Sequence, residues 1–272
     1  MLRFYQFFFN NYTQEGILFN VFNVGVSGSS VSGSFLPLLI LAFLWIAAAY
    51  FIGSLNFSII ISRLVYHDDV RKHGSSNAGS TNMQRTYGNK AGVVTLICDM
   101  AKGIVAVLIA RVLFGENVAY LSGLACMIGH CFPCYFSFKG GKGVATAAAV
   151  ILALNPLVFL LLVAIFLILV LGSKYISLGS VMAGLLFPVI LDRYYAVLAA
   201  STDLEYSSPT LAMTICSIAF AVIIIVRHRS NIKKLLNGTE NKISLKGKKS
   251  KESRSDTPSE VRSLHNIDSE EQ

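Results

Sequence analysis

Charge is what this chain has least of. Charged residues make up 14% of its 272 positions and apolar residues 54%, whereas ordinary globular proteins carry about 25% charged residues. That balance excludes a soluble domain. The few charges are also segregated: residues 35–66, 91–114, 117–136, 143–171, 175–191 and 209–226 are almost bare, runs on the scale of a bilayer core. The net charge of +8 therefore points to a cytoplasmic membrane face, and no nucleic acid partner is expected. The five cysteines all lie in or beside apolar runs. Cys131-Phe132-Pro133-Cys134 has CxxC spacing, but no second pair completes a zinc site. These cysteines read as small packing residues, and neither metal nor cofactor is expected. Residues 1–34 contain a single basic residue, Arg3, and no basic stretch leads into a clean apolar one. No cleaved signal peptide is read there, and the segment is expected to be an outer extension.

What the chain does have is a glycine-rich basic stretch, Lys139-Gly140-Gly141-Lys142-Gly143-Val144-Ala145-Thr146. It falls where a chain would leave a bilayer and re-enter it. Three glycines let the backbone approach a ligand and turn its N–H groups toward one point. Two lysines add positive charge, and the run after Gly143 reads as a helix start, where an anion is favoured. The stretch reads as a phosphate cradle at a membrane surface; a tight basic membrane turn is the plainer alternative. It is no Walker A loop, because Gly143 stands where that motif needs Ser or Thr and its first glycine is missing.

The first apolar run, 35–66, would be about 48 Å long as one helix, too long for a core of about 30 Å. Gly53-Ser54-Leu55-Asn56 is the natural break. Non-helical backbone at that depth survives only where protein or a wet cavity satisfies it, so the break is a site candidate or else a simple kink. The loop 67–90 carries Arg71, Lys72, Ser75, Asn77, Thr81 and Asn82, groups that can wrap a phosphate or polyol. Arg71 offers a bidentate fork. In the second span Asp99 and Lys102 are three apart and share a face. Asp99 lies about 13 Å into that helix. At such depth the two must pair, as a functional couple or as a structural ion pair between helices. The third span ends at Gly129-His130-Cys131-Phe132-Pro133, where His130 is open as a base, a phosphate ligand or an interfacial hydrogen-bonder.

Asn155-Pro156 interrupts the run 143–171, and charge parity decides how. As two short helices in a hairpin, with 143–154 a half-helix aimed at the cradle, every basic loop falls on one side: Arg71, Lys72, Arg85, Lys90, Lys139, Lys142, Lys174 and the tail from Arg227. The expected fold is thus an all-α integral membrane protein of seven transmembrane or half-membrane helices, with the N-terminus outside and the C-terminus cytoplasmic. Residues 227–241 form a basic segment with a glycine stop, predicted to be a helix on the inner surface, and either a site element or a positive-inside anchor. Beyond it the chain is Ser-, Lys- and Glu-rich, a composition that predicts disorder. The domain reading is 1–34 outer extension, 35–243 membrane domain, 244–272 cytoplasmic tail.

Three patches, 53–82, 129–146 and 227–241, now face one compartment. Together they resemble the acyl-phosphate-dependent glycerol-3-phosphate acyltransferases of bacteria, the PlsY type. The likeness rests on Gly53-Ser54, on Arg71-Lys72-His73-Gly74-Ser75 with Asn77, Gly79, Thr81 and Asn82, and on Asp99 with Lys102-Gly103. It continues through Gly129-His130, Phe132-Pro133, the 139–146 stretch, Lys174-Tyr175 with Ser177-Leu178-Gly179-Ser180, and Arg227-His228-Arg229 with Asn231-Ile232. Leu236, Gly238-Thr239-Glu240 close it. Order and spacing cover about residues 36–243. Ser76 stands where that family usually has glycine, Ser80 where it has alanine, and Asn56 where it often has proline.

The resemblance implies transfer of a fatty acyl group from acyl-phosphate to the 1-hydroxyl of glycerol-3-phosphate, giving lysophosphatidic acid and phosphate. It implies a multi-pass protein of a bacterial inner membrane with its site on the cytoplasmic side, in contact with membrane lipid and requiring no oligomer. Glycerol-3-phosphate binding is assigned to Lys139, Gly140, Gly141, Lys142 and Gly143. Ser54, Ser75, Arg71, His228 and Asn231 become further candidates. Lys72, Asn77, Thr81, Asn82, Lys174 and Ser177 are carried as substrate-binding residues, and Glu240 as a structural brace. The histidine–aspartate box of the unrelated acyltransferase superfamily is absent from the sequence.

Acyl-phosphate is an activated anhydride, so no covalent enzyme intermediate is needed. The main demand is to bring two anions together, which Arg71, Lys72, Lys139 and Lys142 can offset. Proton removal is open between His130, His228 and a substrate phosphate oxygen. A transporter of an organic phosphate would share half-helices and intramembrane charges. Sidedness argues against it, because all polar patches converge on one face.

Overall fold

The computed structural model describes residues 17–18, 25–27, 30–32, 35–201 and 208–243. The readings of an outer extension and of a disordered tail from 244 lie largely or wholly outside these residues. One departure from an all-helical chain is a short antiparallel pair, β1 (Gly25–Ser27) with β2 (Ser30–Ser32). From Phe35 onward the described chain is helical.

Helix α1 (Phe35–Ser54) ends at the polar break and α2 (Phe57–Val65) follows. Asn56 ends one helix and starts the next: its Oδ1 accepts from the Ile59 N–H, while its Nδ2 donates to the carbonyls of Ala78 and His130. A short 3₁₀ turn at Val70–Lys72 leads to α3 (Ser80–Tyr87). Then come α4 (Asn89–Phe114) and α5 (Glu116–Cys131). The glycines before each of these two, Gly88 and Gly115, sit at φ of 90° and 87°, where a side chain would be strained. After the 3₁₀ turn Cys134–Phe136 come α6 (Val144–Leu154) and α7 (Pro156–Ser173). They are separate helices because Asn155 leaves helical geometry and Pro156 can only start a helix. The chain closes with α8 (Ile176–Ser201), α9 (Leu211–Arg227) and α10 (Arg229–Leu236).

Among the described residues five helices, α1, α4, α5, α7 and α8, are long and apolar enough to cross a membrane. The α9–α10 pair, bent by 59° at His228, makes a sixth candidate. At 11 residues α6 is about 16 Å long, too short to span alone. Helix α8 runs past the expected end at 191 and carries the charged pair Asp192 and Arg193 on its exposed side. The centre of the molecule is α5: 61% of its span is buried, against 17% for α7. It packs against α1 closely enough that a Cβ at Gly53 would fall 2.0 Å from the Cys126 carbonyl oxygen, and one at Gly129 2.2 Å from that of Tyr50. The main apolar core gathers Tyr120, Met127, Val150, Leu162, Phe187 and Phe220 around it.

Candidate active site

A cavity of about 520 Å³ opens between the glycine-rich stretch and helices α3, α4, α6, α7 and α8. Its polar end is lined by Ser75, Asn77, Thr81, Asn82, Arg85, His130, Lys142, Gly143, Ser177, His228, Asn231 and Glu240; its other end by Leu96, Met100, Ile151, Phe159, Leu162, Phe166 and Phe187. One end is suited to anions and the other to a hydrocarbon chain.

Lys142 anchors the polar end. Its Nζ donates to Asn231 Oδ1 at 2.6 Å, Asn231 Nδ2 donates to Glu240 Oε1 at 2.7 Å, and Ser177 Oγ donates to the same oxygen at 2.9 Å. Residues 142, 177, 231 and 240 thus form one chain of hydrogen bonds across four segments. Burial lowers the Lys142 pKa to about 8, against which Glu240 acts to raise it. The ammonium is therefore ionised at neutral pH, but only by a narrow margin. His228 Nδ1 faces the Ile224 carbonyl at 2.8 Å. A carbonyl only accepts, so the proton sits on Nδ1 and Nε2 is left with a lone pair.

The glycine stretch works differently from the expected cradle. The N–H groups of Gly140 and Gly141 are not free for an anion; they donate to the carbonyls of Cys131 and His130. A Cβ at Gly140 would lie 2.1 Å from the His130 carbonyl oxygen, and one at Gly141 2.2 Å from His130 Nε2. The glycines let the loop lie flat on the end of α5, a packing demand that spacing alone does not reveal. Gly143, at φ of 80°, then turns the chain into α6. Lys142, Gly143, Val144 and Ala145, at the positive end of that helix, face the cavity. Arg227 holds the loop from the far side, donating to the carbonyls of Gly140 and Gly141 at 3.0 Å each, with its guanidinium over the Phe132 ring.

Arg71 is likewise a correction. Its fork grips Asp69, Nε to Oδ1 at 2.9 Å and Nη2 to Oδ2 at 2.7 Å, and Nη1 donates to the carbonyls of Phe136 and Lys139. The guanidinium beside Asp69 holds that carboxyl far below the usual carboxylate range, and the Arg71 pKa is raised in return. With four of its five N–H donors committed and the side chain outside the cavity lining, Arg71 pins loop 67–82 to the glycine stretch. Ser54 also lies outside: fully buried, it donates to the Tyr50 carbonyl. Lys72, Lys139 and Lys174 are exposed and do not line the cavity. Asn82 lines it, but its amide folds the loop, accepting from the Ser75 N–H and donating to the carbonyls of Val70 and His73. Ser76, where glycine is usual in the resembled family, sits at φ of 55°, the left-handed region that favours glycine.

The buried pair Asp99–Lys102, 2.8 Å apart, satisfies the break after α1. Lys102 Nζ donates to the carbonyls of Gly53 and Leu55 and lies 3.1 Å from His130 Nδ1, and the Phe57 N–H donates to Asp99. The residues that spacing alone did not single out are Arg85, which lines the cavity, and Arg227 in its bracing role. Only the fold brings either to the site.

A protein-family model described as glycerol-3-phosphate acyltransferase matches residues 43–238. Similar curated proteins of that name include one from Finegoldia magna, 40% identical over 194 residues (71% of this chain, 92% of the relative). Others come from Neisseria meningitidis serogroup B, 41% over 203 residues (73% and 95%), and Trichlorobacter lovleyi, 43% over 199 residues (73% and 95%). Two crystal structures of PlsY (YgiH), an integral membrane glycerol 3-phosphate acyltransferase, are similar across 75% of this chain and 96% of theirs. The glycerol 3-phosphate form has a TM-score of 0.66 at 35% identity, and the lysophosphatidic acid form 0.64 at 34%.

Proposed function

Because the chain belongs to the glycerol-3-phosphate acyltransferase family, we propose that it acylates the 1-hydroxyl of glycerol-3-phosphate with acyl-phosphate as donor. One observation carries this reading: a single cavity joins the Lys142–Asn231–Glu240–Ser177 chain to an apolar wall of α6, α7 and α8. A charged acceptor and the tail of a lipid donor fit its two ends. The hydroxyl oxygen attacks the acyl carbon, the bond from that carbon to the phosphate oxygen breaks, and phosphate leaves. Lys142 and the start of α6 offset the repulsion between two phosphates, and fixed charges of this kind need no reorganisation during the reaction. The hydroxyl proton passes to His228 Nε2, the bare nitrogen at the cavity. His130 is less suited, as its Nδ1 lies against Lys102 and Asp99 and its Nε2 against Gly141.

The catalytic unit is the membrane domain 35–243, with α1, α4, α5, α7, α8 and α9 as the transmembrane helices and α6 as a half-membrane one, the N-terminus outside and the C-terminus cytoplasmic. In a bacterial inner membrane this puts the polar end of the cavity on the cytoplasmic side. The test is purified protein with labelled glycerol-3-phosphate and palmitoyl-phosphate, read as lysophosphatidic acid. His228→Gln should lower kcat by a hundredfold or more, the usual range for a lost general base being about 10² to 10⁴. Absence of product in the wild type refutes the function. A His228→Gln loss below tenfold leaves a substrate phosphate oxygen as the acceptor of the proton.

A further inference from the structure

His130 lines the cavity, and the reaction above gives it no task. It is only 3% exposed, because the glycine stretch and the break after α1 close around it. Its Nδ1 lies 3.1 Å from Lys102 Nζ and 3.5 Å from Asp99 Oδ1. An ammonium only donates, so the nearer neighbour requires a bare Nδ1, and the ring proton sits on Nε2. Among the described residues Nε2 has no hydrogen-bond partner. Gly141 leaves that edge of the ring uncovered, since a Cβ there would fall 2.2 Å from Nε2. We propose that the His130 Nε2–H donates to the carbonyl oxygen of the acyl group while the glycerol hydroxyl attacks it, as one donor of an oxyanion hole. This rests on the acyltransferase reading above and adds to it a residue for the charge that develops on the acyl oxygen.

Charge and position put the acyl carbonyl, and neither phosphate, at this nitrogen. Asp99 also lines the cavity. Paired with Lys102 at 2.8 Å, its carboxylate leaves this part of the wall without net positive charge. A phosphate placed there meets a carboxylate, whereas a carbonyl meets a neutral donor. The phosphates have Lys142 and the start of α6 instead. Position agrees. On α4, Asp99 and Leu96 are three apart and share a face, and Leu96 belongs to the apolar end. On α6, Ala145 and Ala148 line the cavity between Lys142 at one end and Ile151 at the other. The boundary between polar and apolar wall therefore falls at Asp99 and His130. An acyl-phosphate carries its anion on one side of the carbonyl and its hydrocarbon on the other, so its carbonyl lies at that boundary.

As the hydroxyl oxygen bonds to the acyl carbon, the π pair of the carbonyl moves onto its oxygen. The His130 Nε2–H stabilises that charge and keeps its own proton. The pair returns when the bond from carbon to the phosphate oxygen breaks. The hydroxyl proton goes to His228 Nε2 as before, so the two histidines differ by tautomer: one has a bare Nε2 that accepts, the other a protonated Nε2 that donates. Lys102, held by the carbonyls of Gly53 and Leu55, keeps the His130 ring in its tautomer, because the partner of one ring nitrogen sets the state of the other. A donor fixed in advance in a buried site needs no reorganisation during the reaction.

The experiment joins steady-state kinetics of the full chain, with palmitoyl-phosphate and labelled glycerol-3-phosphate, to NMR. H130L keeps bulk and removes the donor. It should lower kcat about a hundredfold to a thousandfold, the range for one lost oxyanion donor, and move KM for either substrate less than about threefold. H130Q accepts from Lys102 through Oε1 and donates through Nε2, so its kcat should stay within about tenfold of wild type. The contact itself is probed with a phosphonate analogue of palmitoyl-phosphate, a methylene replacing the bridging oxygen, isotope-labelled at the ketone carbon. Bound to wild type, that carbon should shift downfield of its position in detergent; bound to H130L it should not. Nitrogen NMR of the wild type should show a bare Nδ1 and a protonated Nε2 on His130. An unchanged kcat in H130L overturns the proposal, as does a loss confined to KM. Should H130L fail to fold, the wild type decides alone: an unmoved ketone signal from the bound analogue, or a proton on Nδ1, overturns the assignment. A wild-type protein that forms no lysophosphatidic acid overturns the acyltransferase reading itself, which separates the two failures.

Discussion

At the scale of single residues, the site is governed by which polar groups are already committed to protein. Arg71 and Lys142 look equivalent in sequence, each basic and each in a polar loop. Arg71 is held in a fork with Asp69, while Lys142 faces the cavity and is half-buried. Burial lowers the Lys142 pKa from 10.5 to about 8, and this has a signed consequence. Below about pH 8 the ammonium is charged and attracts phosphate; above it the attraction fades. KM for glycerol-3-phosphate should therefore climb as pH rises from about 8 to 10, approaching tenfold per unit. Lys142→Arg should abolish the climb, because guanidinium stays charged. The same shift makes the charged form costly in the folded protein below pH 8, and that cost disappears as pH rises toward 10.5. The Lys142 contribution to folding stability thus improves while binding weakens. A thermal melt that drops in parallel with affinity would contradict this account.

At the scale of elements, the interruption between α1 and α2 is where the fold makes room for function. Breaking a helix at depth frees carbonyls that have no water to bond. Lys102 answers two of them, at Gly53 and Leu55, and Asp99 answers both Lys102 and the first N–H of α2. Both side chains are buried. Lys102→Met should destabilise the protein by about 3–5 kcal/mol, since it leaves a buried carboxylate and two carbonyls without their partner. The Asp99→Asn, Lys102→Met double variant should recover part of that loss by removing the stranded charge. Thermal unfolding in detergent measures both. If the double variant is less stable than Lys102→Met, the pair is not coupled in this way. The break itself was legible, because 35–66 is too long for one span and Gly53 to Asn56 is its polar point. The means of satisfying it was not, because Lys102 lies 47 residues beyond Leu55.

At the scale of the whole molecule, segments as distant in sequence as Ser75 and Glu240 line one cavity, and Lys142 reaches Asn231, 89 positions on, with a single hydrogen bond. With the five native cysteines replaced, a single cysteine at Lys233 or Lys234 should react with a membrane-impermeant maleimide only from the cytoplasmic side. One at the exposed Arg193 should react nearer the outer face. Labelling of both from one side would reverse the topology on which the cytoplasmic placement depends. The proposed topology rests on charge parity: one kinked helix at 143–171 would put the basic tail opposite loop 67–90, and two short helices put every basic loop together.

Composition, the spacing of apolar runs and the placement of basic loops were enough to establish a helical membrane protein and to mark the stretches that meet at its site. These are local or one-dimensional properties, set by bilayer thickness and by the cost of charge in hydrocarbon. The tertiary structure alone decided which groups are free to meet a substrate. It turned Gly140 and Gly141 from an anion cradle into packing surfaces on α5, took the Arg71 fork for Asp69, and brought Arg85 to the cavity lining. A side chain's availability depends on what the rest of the chain brings against it, and those neighbours lie tens of residues away in sequence.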